Sequence, residues 1–361
     1  MIAISLPHDS DYDVAMLRKK QNMPSHYPSC TIVWDTLSLI EWERMMAQIP
    51  RVSLLQSYDY SIAARRFYGQ KPRWGVIQIN GENAGLVQMM ESGLPVPFTK
   101  RYLLHVMMVD NAPLWLPGFG SAIHVSVFFS ALNDLYPARA GRWRRVLPNV
   151  EDSPVAVKFI EKAGFSRKDA PPHHTIWLDL RPDLEALRAG LLQKWRNILN
   201  KAEKSDLRVR CDDKGHDFAA FIMHYKADMV MKDYRGASPK LMALLGAQFL
   251  KRGNLLVLTA YKDIRDTNNA TDNQTLENDP IAGIIILCHG KSATYQAGWS
   301  GDEGRQYGAH NFLLWRAIEI LKSKDITDFD LGGINENGAK NIKHFKSGLG
   351  GAEITYAGHY V

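Results

Sequence analysis

Cysteine is scarce: the 361 residues hold three, Cys30, Cys211 and Cys288. An odd, scattered set cannot build a disulfide framework, and Cys288 sits inside an apolar run, so reduced, buried thiols in a cytoplasmic protein are expected. The Asn-x-Thr triplets at Asn269 and Asn273 then carry no meaning for glycosylation. Long apolar runs are missing too; none approaches the roughly 18 residues of a membrane span. Met1 to Lys20 has no basic start followed by an apolar core, so no secretory signal is expected, and a loosely ordered polar stretch is expected there. Several chemical signatures are also missing. There is no Gly-x-Ser-x-Gly, His-Glu-x-x-His, Cys-x-x-Cys or Walker lysine loop. A covalent serine or thiol mechanism, a metal and a nucleoside triphosphate are therefore unsupported, and no cofactor is expected.

What is present is an ordinary globular balance. Hydrophobic residues make up 45% and charged residues 23%, which excludes a disordered or fibrous chain and supplies material for two or three domains. The net charge of +6 permits a polyanionic partner: nucleic acid, a nucleotide-linked sugar, or an anionic membrane face met peripherally.

The densest pattern runs from Pro280 to Gly351. Ile281 to Leu287 is apolar and β-branched, a buried strand; beyond a turn at Gly290-Lys291, Ser292 to Trp299 makes its hairpin partner. A polar break from Gly301 to Gly308 leads into a helix whose Leu314, Ala317, Ile318 and Leu321 share one face. Phe329 to Leu331 is a short strand closed by Gly332-Gly333. A basic helix from Lys340 to Ser347 stops at Gly348, Gly350 and Gly351.

Similar material recurs upstream. Thr31 to Trp34 is a strand and Leu37 to Gln48 a helix; Ser53 to Ser57 leads into a second helix ending near Gly69. Asn80-Gly81 joins Trp74–Ile79 to Ala84–Met90 in a hairpin. Strand (Tyr102–Val109), helix (Ile123–Tyr136), strand (Trp143–Leu147) and helix (Pro154–Ala163) follow, and Ile176 to Leu180 closes the unit near Arg181-Pro182. Ala84-Gly85-Leu86-Val87 matches Ala282-Gly283-Ile284-Ile285, and Lys162-Ala163-Gly164-Phe165 matches Lys346-Ser347-Gly348-Leu349. Two copies of one α/β domain are expected. Between them lie a helix to about Ser205, a strand (Leu207–Cys211), two helices (His216–Met231, Pro239–Leu250) and a strand (Leu255–Tyr261). The Asn, Asp and Thr-rich stretch from Asp263 to Asp279 is long for a hairpin connection and expected to be mobile.

Tyr295, Trp299-Ser300, Arg305, Asn311 and Trp315-Arg316-Ala317-Ile318, then Phe329-Asp330-Leu331-Gly332-Gly333, then Phe345-Lys346, Gly348 and Gly350-Gly351 together resemble the C-terminal signature of the FemABX-like peptidyltransferases, a branch of the GNAT-type acyltransferases. The resemblance implies an α/β (α+β) fold of two tandem GNAT-like domains, each a mixed twisted sheet flanked by helices. An N-terminal extension would cover 1–27, the first domain 28–181, and the second, with the main signature, 182–361. It implies an enzyme that moves an aminoacyl group from aminoacyl-tRNA to an amine of a cell-wall or nucleotide-linked precursor.

The same resemblance places Phe345 and Lys346 at the active centre, where a lysine would neutralise phosphate or developing negative charge. From the residues alone, Lys346 also fits a solvated basic helix with Lys340 and Lys343. Lys194-Trp195-Arg196, followed by Ile198, Leu199 and Ala202, matches the basic helix that opens the family's second domain. Lys194 and Arg196 are thus candidates for binding phosphate, the latter through a bidentate guanidinium. Tyr295 and Asp330 join the catalytic candidates, although one could be a core residue and the other a cap. Trp299, Arg305, Gly308, His310 and Asn311 join the substrate- or phosphate-binding candidates. Arg305-x-x-Gly308 fits the loop by which CoA-dependent GNAT domains hold pyrophosphate, but His310 stands where a small residue belongs, which lowers acyl-CoA as donor without excluding it. Asp110 could serve as a base by topology, and His173-His174 alternates across a strand as structural residues do.

Acyl transfer to an amine needs a held acceptor, a proton acceptor, oxyanion stabilisation and leaving-group binding, none of which requires a covalent intermediate. Two alternatives stand beside the aminoacyl reading. One is an acyl-CoA-dependent N-acyltransferase acting on a sugar, lipid or polysaccharide precursor. The other is a non-catalytic scaffold that binds nucleic acid through its basic helix.

Overall fold

The computed structural model describes residues 27–96, 102–234, 236–262, 279–334 and 340–361. The N-terminal extension and nearly all of the Asp263–Asp279 connection lie outside these. The first half runs β1 (Cys30–Trp34), α1 (Leu39–Met46), α2 (Tyr58–Tyr68), β2 (Lys71–Ile79), β3 (Glu82–Pro95), β4 (Tyr102–Ala112), β5 (Leu114–Trp115), α3 (Ala122–Leu135), β6 (Arg142–Pro148) and α4 (Pro154–Lys162). Local chemistry sets these limits. Ser38 and Glu41 form a reciprocal capping box at α1, satisfying two donors that the first turn leaves open. Asn80 and Gly81 both take positive φ, 52° and 84°, the twist a two-residue hairpin turn requires.

The second half runs β7 (His174–Asp179), α5 (Leu184–Ala189), α6 (Gln193–Glu203), β8 (Leu207–Asp212), α7 (Phe218–Met231), α8 (Pro239–Leu250), β9 (Leu255–Lys262), β10 (Ala282–His289), β11 (Ser292–Ser300), α9 (Asp302–Tyr307), α10 (Ala309–Ser323), β12 (Asp328–Gly333), α11 (Lys340–Ser347) and β13 (Ala352–Thr355). Three differences from the sequence reading emerge. The stretch after Pro182 is two helices, not one. The polar break before α10 holds the short helix α9. A final strand, β13, was not foreseen.

The two sheets repeat one order. The first is β1-β2-β3-β4-β6, with β5 beside β3; the second is β13-β7-β12-β11-β10-β9-β8. β4 runs parallel to β6 and β11 parallel to β12, while the strands preceding them pair antiparallel. β3 and β10 thus occupy equivalent places, as their shared Ala-Gly motif suggests. The two foreseen hairpins, however, are β2–β3 and β10–β11, which are not equivalent pairs.

The expected boundary at 181 needs correction. Ile176 to Leu180 does not close the first unit: β7 lies in the second sheet, antiparallel to both β12 and β13. In return, the chain end crosses to the first sheet. Tyr360 exchanges backbone hydrogen bonds with Val146, 2.9 Å each way, and is fully buried in the first core. The halves are therefore laced by two exchanged segments. α2 packs on α8, and Leu54 and Ala63 of the first half enter the same apolar cluster as Phe221, Leu245 and Trp299 of the second. Polar ties cross as well: Val52 N–H donates to Ser292 Oγ at 2.9 Å and Gln248 Nε2 to Asp59 Oδ1 at 3.0 Å.

Candidate active site

β11 and β12 begin side by side and then part. Their parallel pairing covers Ser292–Asp328, Ala293–Phe329 and Thr294–Asp330 only, although β11 runs on to Ser300 and β12 to Gly333. Past that point the ladder ends, and Gly332 faces the Tyr295 carbonyl and Lys346 Nζ, which a Cβ there would meet at 3.2 and 3.5 Å. Tyr295 is the first residue of β11 beyond it, and α11 brings Lys346 to the same place.

Lys346 is 7% exposed. Its Nζ donates to the Gly333 carbonyl at 3.0 Å and stands 5.5 Å above the Tyr295 ring. Burial lowers its pKa to about 8, against the opposing pull of Asp330, because a cation out of water loses solvation that one carboxylate only partly returns. Asp330 is held by Thr175 Oγ1 and by the Gly332 N–H, the latter at 2.8 Å. Burial still raises its pKa, while those hydrogen bonds and the charges of His173 and Lys346 oppose the rise.

Tyr295 Oη lies 2.8 Å from His310 Nε2. Gly298 makes that pair possible: a Cβ there would come 2.4 Å from Tyr295 Oη and 2.6 Å from His310 Cε1. Burial, with help from Lys232 and Lys346, drops the His310 pKa to about 4, so the imidazole is neutral near pH 7. Burial raises that of Tyr295. Phe345 sets its edge against His310, centroids 5.5 Å apart, and leans on Trp195 at 6.2 Å. Lys346, Phe345, Tyr295, Asp330 and His310 thus meet in one cluster, although His310 turns inward to Tyr295 rather than out from the helix start.

The remaining candidates lie elsewhere. Trp299 is on the opposite face of the sheet. A regular strand would put Tyr295 and Trp299 together, four residues apart, but the pairing shifts so that Ile286 faces Tyr295 and Ile285 faces Ala297. Gln296 is the extra residue, and a bulge flips everything beyond it. Trp299 consequently packs with Phe221 and Leu245 and stacks on His224 at 4.4 Å. Arg305 folds back on its own helix, donating to Ser300 O at 2.8 Å and pairing with Asp302. Asn311 is buried, and its Nδ2 has no hydrogen-bond partner among the described residues.

Gly308 has φ 68° and opens α10 with no side-chain cap. It is roofed by α6, since a Cβ would meet Ile198 Cγ2 at 2.5 Å. On the outer side of α6, Lys194, Asn197 and Lys201 line a shallow groove of about 420 Å³ with Gln193 and Ile198. Arg196 is half-buried beside Trp195, with no ion pair among the described residues.

Sequence reasoning passed over three contributors. Thr175 was unmarked, and His173, set aside as structural, sits within the field of Asp330 and Lys346, its pKa lowered mainly by burial. The end of α7 also reaches the cluster: Asp228 and Lys232 act on His310, and Tyr234 on Tyr295. No motif marks these positions; only the exchange of β7 and the packing of α7 bring them in. Asp110, considered as a base, is bound to Arg145, with Nε to Oδ1 at 3.2 Å.

Comparison with known proteins fits this geometry. The acetyltransferase (GNAT) domain family matches residues 189–347. Among solved structures, the crystal structure of FemX superposes with a TM-score of 0.72 at 13% identity, covering 91% of this chain and 96% of that one. A conserved protein of unknown function from Bacteroides thetaiotaomicron gives 0.57 at 12% identity, covering 91% and 98%. No curated protein sequence matches. The chain has the fold of FemX, and residues 189–347, the part that holds Lys346, match the acetyltransferase (GNAT) domain family.

Proposed function

We propose that the second half transfers an aminoacyl group from aminoacyl-tRNA to an amine of a cell-wall or nucleotide-linked precursor. The amine nitrogen attacks the ester carbonyl, the C–O bond to the ribose breaks, and the amine proton ends on the leaving oxygen. Lys346 supplies fixed positive charge toward the oxyanion or a substrate phosphate, where a preorganised cation in a dry site is worth most. The tyrosine hydroxyl of the Tyr295–His310 pair offers a polar contact to the reacting carbonyl. Trp299 and Arg305 have no direct part in this reading.

The observation that carries it is the buried Lys346 ammonium, held at the point where β11 and β12 separate. The cationic groove of Lys194 and Lys201, with Arg196 nearby, supports a donor that carries several phosphates. Among the described residues, the cluster contains no cysteine or serine to act as a covalent relay, which favours direct attack. The test supplies the purified protein with tRNA charged with labelled amino acid and a panel of nucleotide-linked precursors, in parallel with acyl-CoA donors. Label appearing in a precursor from tRNA alone is expected; label from acyl-CoA alone would overturn the proposal.

One observation keeps the acyl-CoA reading as the second choice. α10 starts at Gly308 without a side-chain cap, so its first amides are open to a pyrophosphate. The Ile198 roof over Gly308 weighs against it. The GNAT match favours either enzyme over a scaffold.

A further inference from the structure

Between the halves lies a cavity of about 530 Å³ that the proposed reaction does not use. From the first half, α1 lines it with Trp42 and Glu43, and the start of α2 with Asp59. The second half closes it with Arg252 before β9, His289 at the end of β10, and Lys324 after α10. It sits where β11 and β12 begin, at Ser292 and Asp328, whereas the Lys346 cluster lies past Thr294–Asp330. Its volume falls within the roughly 300–1,000 Å³ of small-molecule sites.

Three nitrogens of its lining side chains lack a hydrogen-bond partner among the described residues: Trp42 Nε1, Arg252 Nε and His289 Nδ1. Trp42 and His289 are only 2% and 4% exposed, so bulk water does not serve them. The indole and guanidinium N–H groups can only donate. Arg252 Nε stands 3.4 Å from Asp59 Oδ2, an ion pair that makes no hydrogen bond. His289 Nε2 is 2.9 Å from Thr294 Oγ1, and burial lowers its pKa to about 3. The ring is therefore neutral, and its Nδ1 can donate or accept. Folded chains leave few buried polar groups unmet, because each one costs more than a made bond gains. Three around one cavity point to an acceptor that the chain does not supply.

Charge narrows the ligand. Glu43 and Asp59 are both spent on Arg252, and Asp59 also accepts from Gln248 at 3.0 Å. Lys324 is exposed and has no ion pair among the described residues, while Lys251 and Asp325 stand exposed outside the lining. The unengaged charge of the lining is thus a single cation. One carboxylate suits it better than a phosphate dianion, which the two acids would repel. We propose that this cavity binds a small monocarboxylate whose oxygens accept from Trp42 and Arg252 and face Lys324, so that the ligand bridges the two halves. The site uses no residue of the Lys346 cluster and stands apart from the functional reading above.

The test is the melting curve of the full chain at constant ionic strength, with acetate, lactate or benzoate replacing chloride and inorganic phosphate as a separate arm. At ten times its Kd, at least one carboxylate should raise the melting temperature saturably by about 2 °C or more; phosphate should not. Lys324→Met should weaken binding at least about tenfold, the scale of one charge-assisted hydrogen bond. Trp42→Phe should melt lower on its own through lost packing and should also lose the carboxylate-induced rise. Trp299→Phe, which loses packing elsewhere, should keep that rise, and so should Lys346→Met. A cavity filled by water alone would give no rise with any carboxylate, and that result would overturn the proposal. So would an equal rise in Lys324→Met, a rise lost in Lys346→Met, or a rise seen with phosphate alone.

Discussion

The two halves share a strand order and differ in how they treat its centre. In the first, β4 and β6 stay paired from His105–Arg142 to Ala112–Pro148, with a single irregularity. In the second, β11 and β12 separate after Thr294–Asp330. In the first, Arg145 ties down Asp110 at the strand ends. In the second, Asp330 and Lys346 act on each other where the pairing ends. Lys162 and Lys346 hold matching places, each two residues before a glycine at the end of the helix after the parallel strand; Lys162 is exposed and Lys346 buried. α3 begins with Ser121 accepting from the His124 N–H, whereas α10 begins at Gly308 with no side-chain cap. On the proposed function, one copy of the repeated fold stays paired as structure and the other, where the pairing ends early, supplies the chemistry.

Exchanging the matched lysines should break this symmetry most visibly. Lys346→Met should cut kcat/KM by roughly a hundredfold or more, the scale of losing one preorganised electrostatic group. Its melting temperature should hold or rise, since an apolar side chain replaces a buried charge. Lys162→Met should leave turnover and stability unchanged. Equal losses from both, in a transfer assay, would contradict a single active copy.

Trp299 sharpens the comparison from another direction. If the bulge at Gln296 turns it from the cluster, Trp299→Phe should cost about 1–2 kcal/mol of stability through lost packing. Denaturant unfolding would measure that, and kcat should not move. A fall in kcat without a fall in stability would place the indole back at the site. The smallest effect belongs to the cap: Ser121→Ala should cost about 1 kcal/mol, read by the same unfolding curves, with activity intact.

Much of the fold was legible because hydrophobic periodicity and turn chemistry are local. Asn80-Gly81 announced its hairpin, and Ala84-Gly85 and Ala282-Gly283 marked equivalent strands. What failed was non-local. An apolar strand such as Ile176–Leu180 states that it is buried but not in which sheet, so the exchange of β7 was invisible, and with it the role of Thr175. One extra residue, Gln296, decides which face Trp299 occupies, yet it leaves no mark in composition. α9 was hidden because Asp302, Glu303, Arg305 and Gln306 around Gly304 look the same as a loop. Lys346 was the hardest case: its own helix, with Lys343 and His344, reads as solvated, and only the resemblance pointed to it. Its burial comes from β12 and Tyr295, which no local pattern brings to α11.

The most direct test of the account is the pH profile of kcat/KM for wild type against Lys346→Arg. Burial sets the Lys346 pKa near 8 rather than at its ordinary 10.5. Stability withheld by that buried cation below about 8 is accordingly regained as pH rises toward 10.5, because the unfolded chain binds the proton more tightly. Activity should move the other way. If the charge on Lys346 works in the reaction, wild-type kcat/KM should fall as pH climbs through about 8, and the residual activity of Lys346→Arg, always cationic, should lack that falling limb. The same limb in both proteins would contradict the account.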